Sequence, residues 1–552
     1  MAGWPASRAD RAQASTAGGT LPGGVRARAS AARRLAAVGA FAGSGIRSGG
    51  PTAPAVAADA LFPMPNFPSL TREIDESPPG PSTAAFFDLD RTLIAGFSAF
   101  NFVYDGIRSG RLGSPSILEM LAAAASFQLG TIGFSSFLTG TARTLRGISE
   151  KEFAAIGENV FEGELAAEIY PEARALVDAH RRRGHQVCVV SSATPYQVEP
   201  IARELGIEHV MASRLEVRDG LLTGEVVSPT CYGEGKAFYA RRFAEEHGVD
   251  LAKSFFYTDS HEDLPLLDIV GRPRPVNPNT RLAEIAARRG WPARHFSNRG
   301  LPSVSEVART GLALGSMVPS LLLGVPAAMF TGNWQRAVNL AASTWGELAT
   351  ALAGVEVRVT GEENLWAKRP AVFIFNHQSG LDMLLVCKLL RRDFVGIAKR
   401  ELKSNPIFGP VLSLAGTVFV DRFNHERAVE ALAPAIEALR HGLSLAIAPE
   451  GTRSRTMQPG RFKKGAFFIA MAAGVPIVPI VVRNSLDALP KNWVVVRPAT
   501  VDVVVLPPIP TTGWTRDNLA EKIAEIERLY ADTIARPSES AAPDAPARPS
   551  DV

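Results

Sequence analysis

Cysteine is scarce in this chain, with Cys188, Cys231 and Cys387 the only three in 552 residues. No two of them form a CxxC pair. A disulfide framework and a zinc site are therefore unsupported, and a reducing compartment fits. Aromatic residues are not interleaved with the basic ones, and no nucleic-acid-binding motif occurs. Nucleic acid is thus disfavoured as a partner. There is no internal repeat. Charge of either sign is missing between Arg309 and Arg336, across TGLALGSMVPSLLLGVPAAMFTGNWQ (310–335). About 20 apolar residues suffice to cross a bilayer, but Pro319, Pro326 and several glycines interrupt this run.

The chain is too long for one core, so two or three domains plus tails are expected. The net charge of +4 is unevenly placed. Residues 1–60 carry seven Arg against Asp10 and Asp59; residues 61–300 carry 25 basic and 30 acidic side chains; residues 301–536 carry 26 basic and 20 acidic. The last block is the one biased toward anionic partners, such as phosphorylated substrates or anionic membrane lipid.

Residues 1–80 read as a disordered basic tail, rich in Ala, Gly, Ser and Arg. Its composition resembles a transit peptide, and Arg33-Arg34 before LAAVGAFAG faintly mimics a secretory signal. Residues 81–300 alternate strand and helix patterns. AAFFDLDRTL (84–93), QVCVVSS (186–192) and SFFYTDS (254–260) read as strands, with a helix at 172–183 and a hairpin around Asp219-Gly220. Helical patterns at about 95–170 form an insert. Residues 301–340 are a linker and the apolar run. Residues 341–536 are a second alternating block, with strands in AVFIFNHQSG (371–380), TVFVDR (417–422), LSLAIAPEG (443–451) and VPIVPIVVR (475–483). An amphipathic helix over 516–534 closes it, and 537–552 form a second disordered tail. Both blocks are expected to be α/β domains with mainly parallel sheets.

In the first block Asp88 and Asp90 lie two apart in an extended segment, so their carboxylates point the same way. Thr92 completes a DxDxT pattern. Ser191 lies at another strand end, Lys236 lies in YGEGKA (232–237), and Asp259 ends a third strand with Asp263 four residues on. Ligands of open parallel sheets bind at the carboxyl ends of strands. This ordered set therefore reads as one phosphate-and-metal site. It resembles the haloacid dehalogenase superfamily, in particular its phosphoserine-phosphatase-like branch, over roughly 80–290; VNPNTRL (276–282) and the Gly290-Trp291 pair fit the same branch. The resemblance implies that Asp88 attacks phosphorus and that Asp90 serves as acid and base. Thr92, Ser191 and Lys236 would hold the phosphoryl oxygens. Asp88, Asp259 and the backbone carbonyl of Asp90 would bind Mg²⁺, with Asp263 in support. The insert would be a substrate-selecting helical cap. Its low polarity makes a lipid or other amphiphilic phosphomonoester at least as plausible as phosphoserine.

In the second block NHQSGLD (376–382) follows a strand and opens a helix. A His at such a place beside an acid can act as a positioned base, so His377 and Asp382 are the candidates. IAKRELKSNPIFG (397–409), GTVFVDR (416–422), APEGTRS (448–454), RFKKG (461–465) and VPIVPI (475–480) follow in order. Arg422, Arg453, Lys463 and Lys464 lie beside strand ends and Gly turns, and forked Arg donors match phosphate oxygens. The ordered set resembles the glycerolipid acyltransferases, specifically the 1-acylglycerol-3-phosphate acyltransferases, over about 340–510. The resemblance implies that His377, oriented by Asp382, deprotonates the 2-hydroxyl of lysophosphatidate, which then attacks an acyl-CoA or acyl-carrier-protein thioester. Arg422 and Arg453 would hold the acceptor's phosphate, with Lys399, Glu450, Gly451 and Thr452 shaping the pocket. No metal-ligand cluster is seen in this block.

The expected architecture is a Rossmann-like haloacid-dehalogenase-type domain with a helical cap and a glycerolipid-acyltransferase-type α/β domain, joined by an apolar helical membrane-anchoring segment. A phosphatase-like domain that is only regulatory or lipid-binding remains the alternative. Mg²⁺, reducing conditions and an intracellular thioester place both domains on the cytoplasmic side, so crossings should be even in number. The uncharged run is too short for two. A shallow hairpin or in-plane anchor bent at its prolines and glycines follows, with Arg309 and Arg336 at the headgroups and Trp334 in the interface. A single crossing or a buried core helix pair are the other readings.

Overall fold

Two largely parallel sheets organise the chain. The computed structural model describes them within residues 67–99, 101–102, 134–296, 299–404, 409, 412–413, 416–420 and 432–536. The first domain opens with α1 (Phe67–Asp75) and β1 (Ala84–Phe87). Helices α2 (Phe134–Thr144) and α3 (Glu150–Gly163) belong to the insert, whose residues 103–133 lie outside the described ones. Then come α4 (Pro171–Arg182), β2 (Gln186–Ser191), α5 (Pro195–Glu204), β3 (His209–Ala212) and the hairpin β4 (Leu215–Arg218) and β5 (Leu221–Val226). The domain ends with α6 (Glu234–His247), β6 (Phe255–Thr258), β7 (Arg272–Pro275) and α7 (Thr280–Arg289).

The sheet order is β3-β2-β1-β6-β7, all parallel. Such a sheet is covered on both faces, which is why β1 reads as the unbroken apolar run AAFF. Alternation sends Ala85 and Phe87 into one core and Ala84 and Phe86 into the other. The hairpin turn uses Asp219 and Gly220, both at positive φ, as a two-residue turn requires.

One difference from the sequence reading is that order begins before residue 81. Leu70 and Ile74, one helical turn apart, bury one face of α1 against the first core, and Glu73 pairs with Arg274.

Between the sheets lie α8 (Val304–Gly315), α9 (Met317–Thr331) and α10 (Trp334–Ala353). Residues Val304–Thr331 are long and apolar enough to cross a membrane by length and composition alone. The chain reverses at Gly332, whose φ of 62° suits a glycine, and the Asn333 side chain caps α10 by accepting from Arg336 N at 3.1 Å. Of the prolines and glycines expected to bend the run, a glycine makes the reversal and the prolines do not. Pro319 sits in the first turn of α9, where its missing N–H costs nothing, and Pro326 is carried inside the helix.

Arg309 also departs from expectation. It is 8% exposed, and a Cβ on Gly354 would come within 2.1 Å of its Nη1, so it fills the turn after α10 instead of reaching a headgroup. Arg336 faces solvent near Asp393, and Trp334 is half exposed. The buried helix pair is not what forms: Leu322, Leu323, Met329 (81%) and Phe330 (91%) all face outward.

The second domain comprises β8 (Val355–Thr360), β9 (Val372–Phe375), α11 (Asp382–Leu390), β10 (Phe394–Lys399), β11 (Val418–Val420), α12 (Ala433–Arg440), β12 (Ser444–Ile447), α13 (Gly465–Ala473), β13 (Ile477–Val482), β14 (Ala499–Val505) and α14 (Leu519–Ala535). The order is β11-β10-β12-β9-β13-β14-β8, and β13 and β14 are antiparallel. Strands β8 and β14, absent from the sequence reading, pair in parallel at one edge. The closing helix packs as expected; Tyr530 of α14 donates to the carbonyl of Ile374 at 2.7 Å, beneath the central strand β9.

Candidate active sites

Strand β1 lies between β2 and β6, and the three end side by side at Phe87, Ser191 and Thr258. Asp88, Ser191 and Asp259 therefore sit at neighbouring carboxyl edges, where an open sheet binds ligands. Lys236, in the first turn of α6, reaches Asp88 Oδ1 and Asp263 Oδ2, each at 2.8 Å. Thr258 donates to the same Asp263 oxygen at 2.5 Å. The Ser98 amide donates to Asp90 Oδ1 at 2.7 Å. Arg91 is held at a φ of 57° and ion-pairs with Asp259 Oδ2 at 3.0 Å.

These contacts arrange charge. Burial pushes Asp88 up to about 7 against the pull of Lys236, with Asp263 adding to the rise. Burial, eased by the Ser98 amide, leaves Asp90 at about 6, where a carboxyl can give and take a proton near neutrality. Asp259 is raised to about 8 by burial and then by Asp88, while Arg91 opposes. Burial works against the Lys236 charge, but Asp263 and Asp88 outweigh it and raise its pKa.

Among the described residues no three His, Cys, Asp or Glu side chains converge closely enough to enclose a metal. Asp259 leans on Arg91 and Asp263 on Lys236, as buried charges are paired. The donors nevertheless fit a hard cation and a phosphate. They are oxygen groups whose ionisation burial and one another oppose, which a divalent ion relieves. Thr92 Oγ1 is buried beside them without a hydrogen-bond partner among the described residues.

The second site forms where β9 gives way to α11. His377 Nδ1 lies 2.9 Å from Asp382 Oδ2. Because a carboxylate only accepts, Nδ1 carries the hydrogen, which in the neutral ring leaves Nε2 with its lone pair. Asp382 is fully buried and filled: Oδ2 also accepts from the amides of Gln378 (2.7 Å) and Ser379 (2.8 Å), and Oδ1 from Ser485 Oγ (2.5 Å). Glu450 accepts from the amides of His377 and Gly460, both at 2.7 Å, and so ties the loop after β12 to the histidine. Burial raises Glu450 to about 7 despite those two donors.

The same loop is bonded back twice more, by Ser454 N to the His377 carbonyl (2.6 Å) and by Gln378 Nε2 to the Met457 carbonyl (2.9 Å). Gly451 turns it at a φ of 75°. A Cβ on Gly380 would lie 3.8 Å from Arg453 Nη1, so this guanidinium hangs over the His377 turn. Thr452, Lys463 and Lys464 are exposed. Arg422 lies outside the described residues, as does the side chain of Lys399.

Arg91, Ser98, Gln378 and Ser485 were not anticipated. Ser485 lies far along the chain from Asp382 and carries no local pattern, whereas Arg91 lies inside the DxDxT stretch and was open to notice.

A family model of haloacid dehalogenase-like hydrolases matches residues 85–268, and a model of acyltransferases matches residues 356–483. The chain is similar to a phosphoserine phosphatase of Mycobacterium tuberculosis, 34% identical over 255 residues, covering 44% of this chain and 82% of the relative. It is also similar to a 1-acyl-sn-glycerol-3-phosphate acyltransferase of Saccharomyces cerevisiae, 32% identical over 233 residues, covering 41% of this chain and 74% of the relative. A solved acyltransferase from Thermotoga maritima aligns at 22% identity and a TM-score of 0.35, over 42% of this chain and 97% of that one. The two strand edges thus belong to two enzyme families joined in series, and this chain is a member of both: a haloacid dehalogenase-like hydrolase of the phosphatase type followed by an acyltransferase.

Proposed function

We propose that the chain is a bifunctional enzyme of phospholipid biosynthesis. Its second domain, about residues 341–536, acylates the 2-hydroxyl of lysophosphatidate to phosphatidate, with acyl-CoA or acyl-carrier protein as donor. The observation that carries this reading is the His377–Asp382 pair at 2.9 Å under a loop laced to it by Glu450. His377 Nε2 takes the hydroxyl proton, the oxygen attacks the thioester carbonyl, and the thiol departs. Arg453 and Arg422 bind the acceptor's phosphate, with Lys399, Glu450, Gly451 and Thr452 shaping the pocket.

The first domain, with its helical cap, hydrolyses a phosphomonoester. Asp88 attacks phosphorus and forms an aspartyl-phosphate while Asp90 protonates the leaving oxygen; Asp90 then activates the water that releases phosphate. Thr92, Ser191 and Lys236 hold the phosphoryl oxygens. Mg²⁺ would be held by Asp88, Asp259 and the Asp90 carbonyl, with Asp263 in support. Bound there, it supplies positive charge that offsets repulsion between carboxylate and phosphate.

Two assays on the full chain test this. Thiol release from acyl-CoA should require lysophosphatidate and survive EDTA. Phosphate release should be abolished by EDTA and restored by Mg²⁺. Wild type that releases no thiol sinks the acyltransferase reading, and phosphate release indifferent to EDTA sinks the Mg²⁺ role. The second reading is that the first domain is regulatory or lipid-binding only. Failure to release phosphate from any phosphomonoester with excess Mg²⁺ would select it.

The outward apolar faces of α8, α9 and α10 anchor both domains to the cytoplasmic leaflet. Replacing Leu322, Met329 and Phe330 together by Glu is expected to weaken sedimentation with anionic vesicles by roughly tenfold or more. Unchanged binding would refute the anchor.

A further inference from the structure

One residue of the acyltransferase loop, Met457, is bonded to both domains. The Met457 carbonyl accepts from Gln378 Nε2 at 2.9 Å, beside His377. Its amide donates to Glu204 Oε1 at 2.6 Å, and Glu204 ends helix α5 of the phosphatase-type domain. A second element of that domain meets the loop as well: a Cβ on Gly163, the last residue of α3, would lie 3.8 Å from Arg455 Nη1. Around Glu204 the domains are not tightly packed. It borders a cavity of about 170 Å³ that Arg174, Arg483 and Gln458 also line. The Glu204–Met457 bond is one of several links across this seam, beside the Arg174–Asp487 ion pair at 3.8 Å and the bond from Arg181 Nη2 to the Ala535 carbonyl at 3.0 Å, and it is the one that reaches the acyltransferase loop.

Helix α5 can hold Glu204 firmly. Its N-terminus carries a reciprocal capping box between Thr194 and Gln197, and Gln197 Nε2 donates to Ser98 Oγ at 3.4 Å. Ser98 is the residue whose amide binds Asp90. One helix, about 15 Å long and carrying Pro200 inside it, thus begins beside the phosphatase site and ends on the acyltransferase loop.

We infer that Glu204, a residue of the phosphatase-type domain, is a positioning residue of the acyltransferase, holding the 450–460 loop and its Arg453 in place over His377. The inference rests on the acyl-transfer reading proposed above. Its loss should weaken acceptor binding more than turnover, because the loop carries the phosphate contacts while the His377–Asp382 pair has its own supports.

The test compares full-length wild type, Glu204→Ala and Glu204→Gln. Alanine removes the acceptor for the Met457 amide; glutamine keeps a carbonyl oxygen at the same reach. For thiol release, Glu204→Ala is expected to raise KM for lysophosphatidate roughly tenfold with kcat changed by less than about twofold. Phosphate release should not change, and Glu204→Gln should recover most of the lost KM. Amide hydrogen exchange over residues 451–462 should quicken in the alanine variant and return toward wild type in the glutamine variant. An alanine variant with wild-type KM and wild-type loop exchange overturns the inference. So does an equal loss of both activities that glutamine does not restore. If wild type itself releases no thiol, the acyl-transfer reading fails, and loop exchange alone decides: faster exchange in the alanine variant upholds the positioning role, and unchanged exchange refutes it.

Discussion

Substituting asparagine for Asp88 is expected to cut phosphate release by on the order of 10⁴-fold or more, with thiol release from the acyl donor untouched. The amide has nearly the shape of the carboxylate but cannot supply the oxygen nucleophile. Stability should not fall with activity. Burial already pushes Asp88 up to about 7, so its ionised form is costly to the fold, and an amide removes that cost. Lys236 keeps Asp263 as its partner at 2.8 Å. A thermal melt at or above the wild-type midpoint, beside lost phosphate release, is the combined result that supports a nucleophile. Phosphate release within about tenfold of wild type would mean that another group attacks.

Removing the imidazole with His377→Ala should lower thiol release by roughly 10³-fold, the range for a positioned general base. Phosphate release should remain. The variant should also fold, because Asp382 does not depend on the histidine alone: the Gln378 and Ser379 amides and Ser485 Oγ still fill its oxygens. KM for lysophosphatidate should move little, since the proposed phosphate contacts, Arg453 among them, do not involve His377. That split separates His377→Ala from Glu204→Ala, which acts on KM. Substantial acceptor-dependent turnover in the alanine variant would assign the base elsewhere.

The residues that were legible in sequence share one property. Asp88, Ser191, Asp259 and His377 each come directly at or after a short apolar run, and buried parallel strands make such runs conspicuous. Asp88, Ser191 and Asp259 share one edge because the parallel strands they follow all point the same way. Contacts that join distant segments were not legible. Ser485 on Asp382 and Glu204 on Met457 are chosen by packing across long separations, with no spacing rule to betray them. The uncharged run forms one apolar helix rather than a hairpin folded within it; its prolines do not bend it back, since proline is tolerated in a first turn, and the chain reverses at one of its glycines, Gly332. Arg309 misled for a related reason: a charge at the end of an apolar run looks like a headgroup anchor, yet the turn at Gly354 leaves room that its guanidinium fills.

The edge position of β8 has a consequence for how the protein is made. In the described sheet β8 neighbours β14 alone, and β14 is translated long after it. At about 5–20 residues per second, roughly 7–28 seconds separate the two on the ribosome. Until then the VEVRVT segment has no strand to pair with, and an unpaired strand is an aggregation hazard. The first sheet draws all its strands from residues 84–275 and can close before β8 emerges. Pausing or truncating synthesis ahead of residue 499 should therefore leave a folded first domain attached to a sticky, incomplete second one.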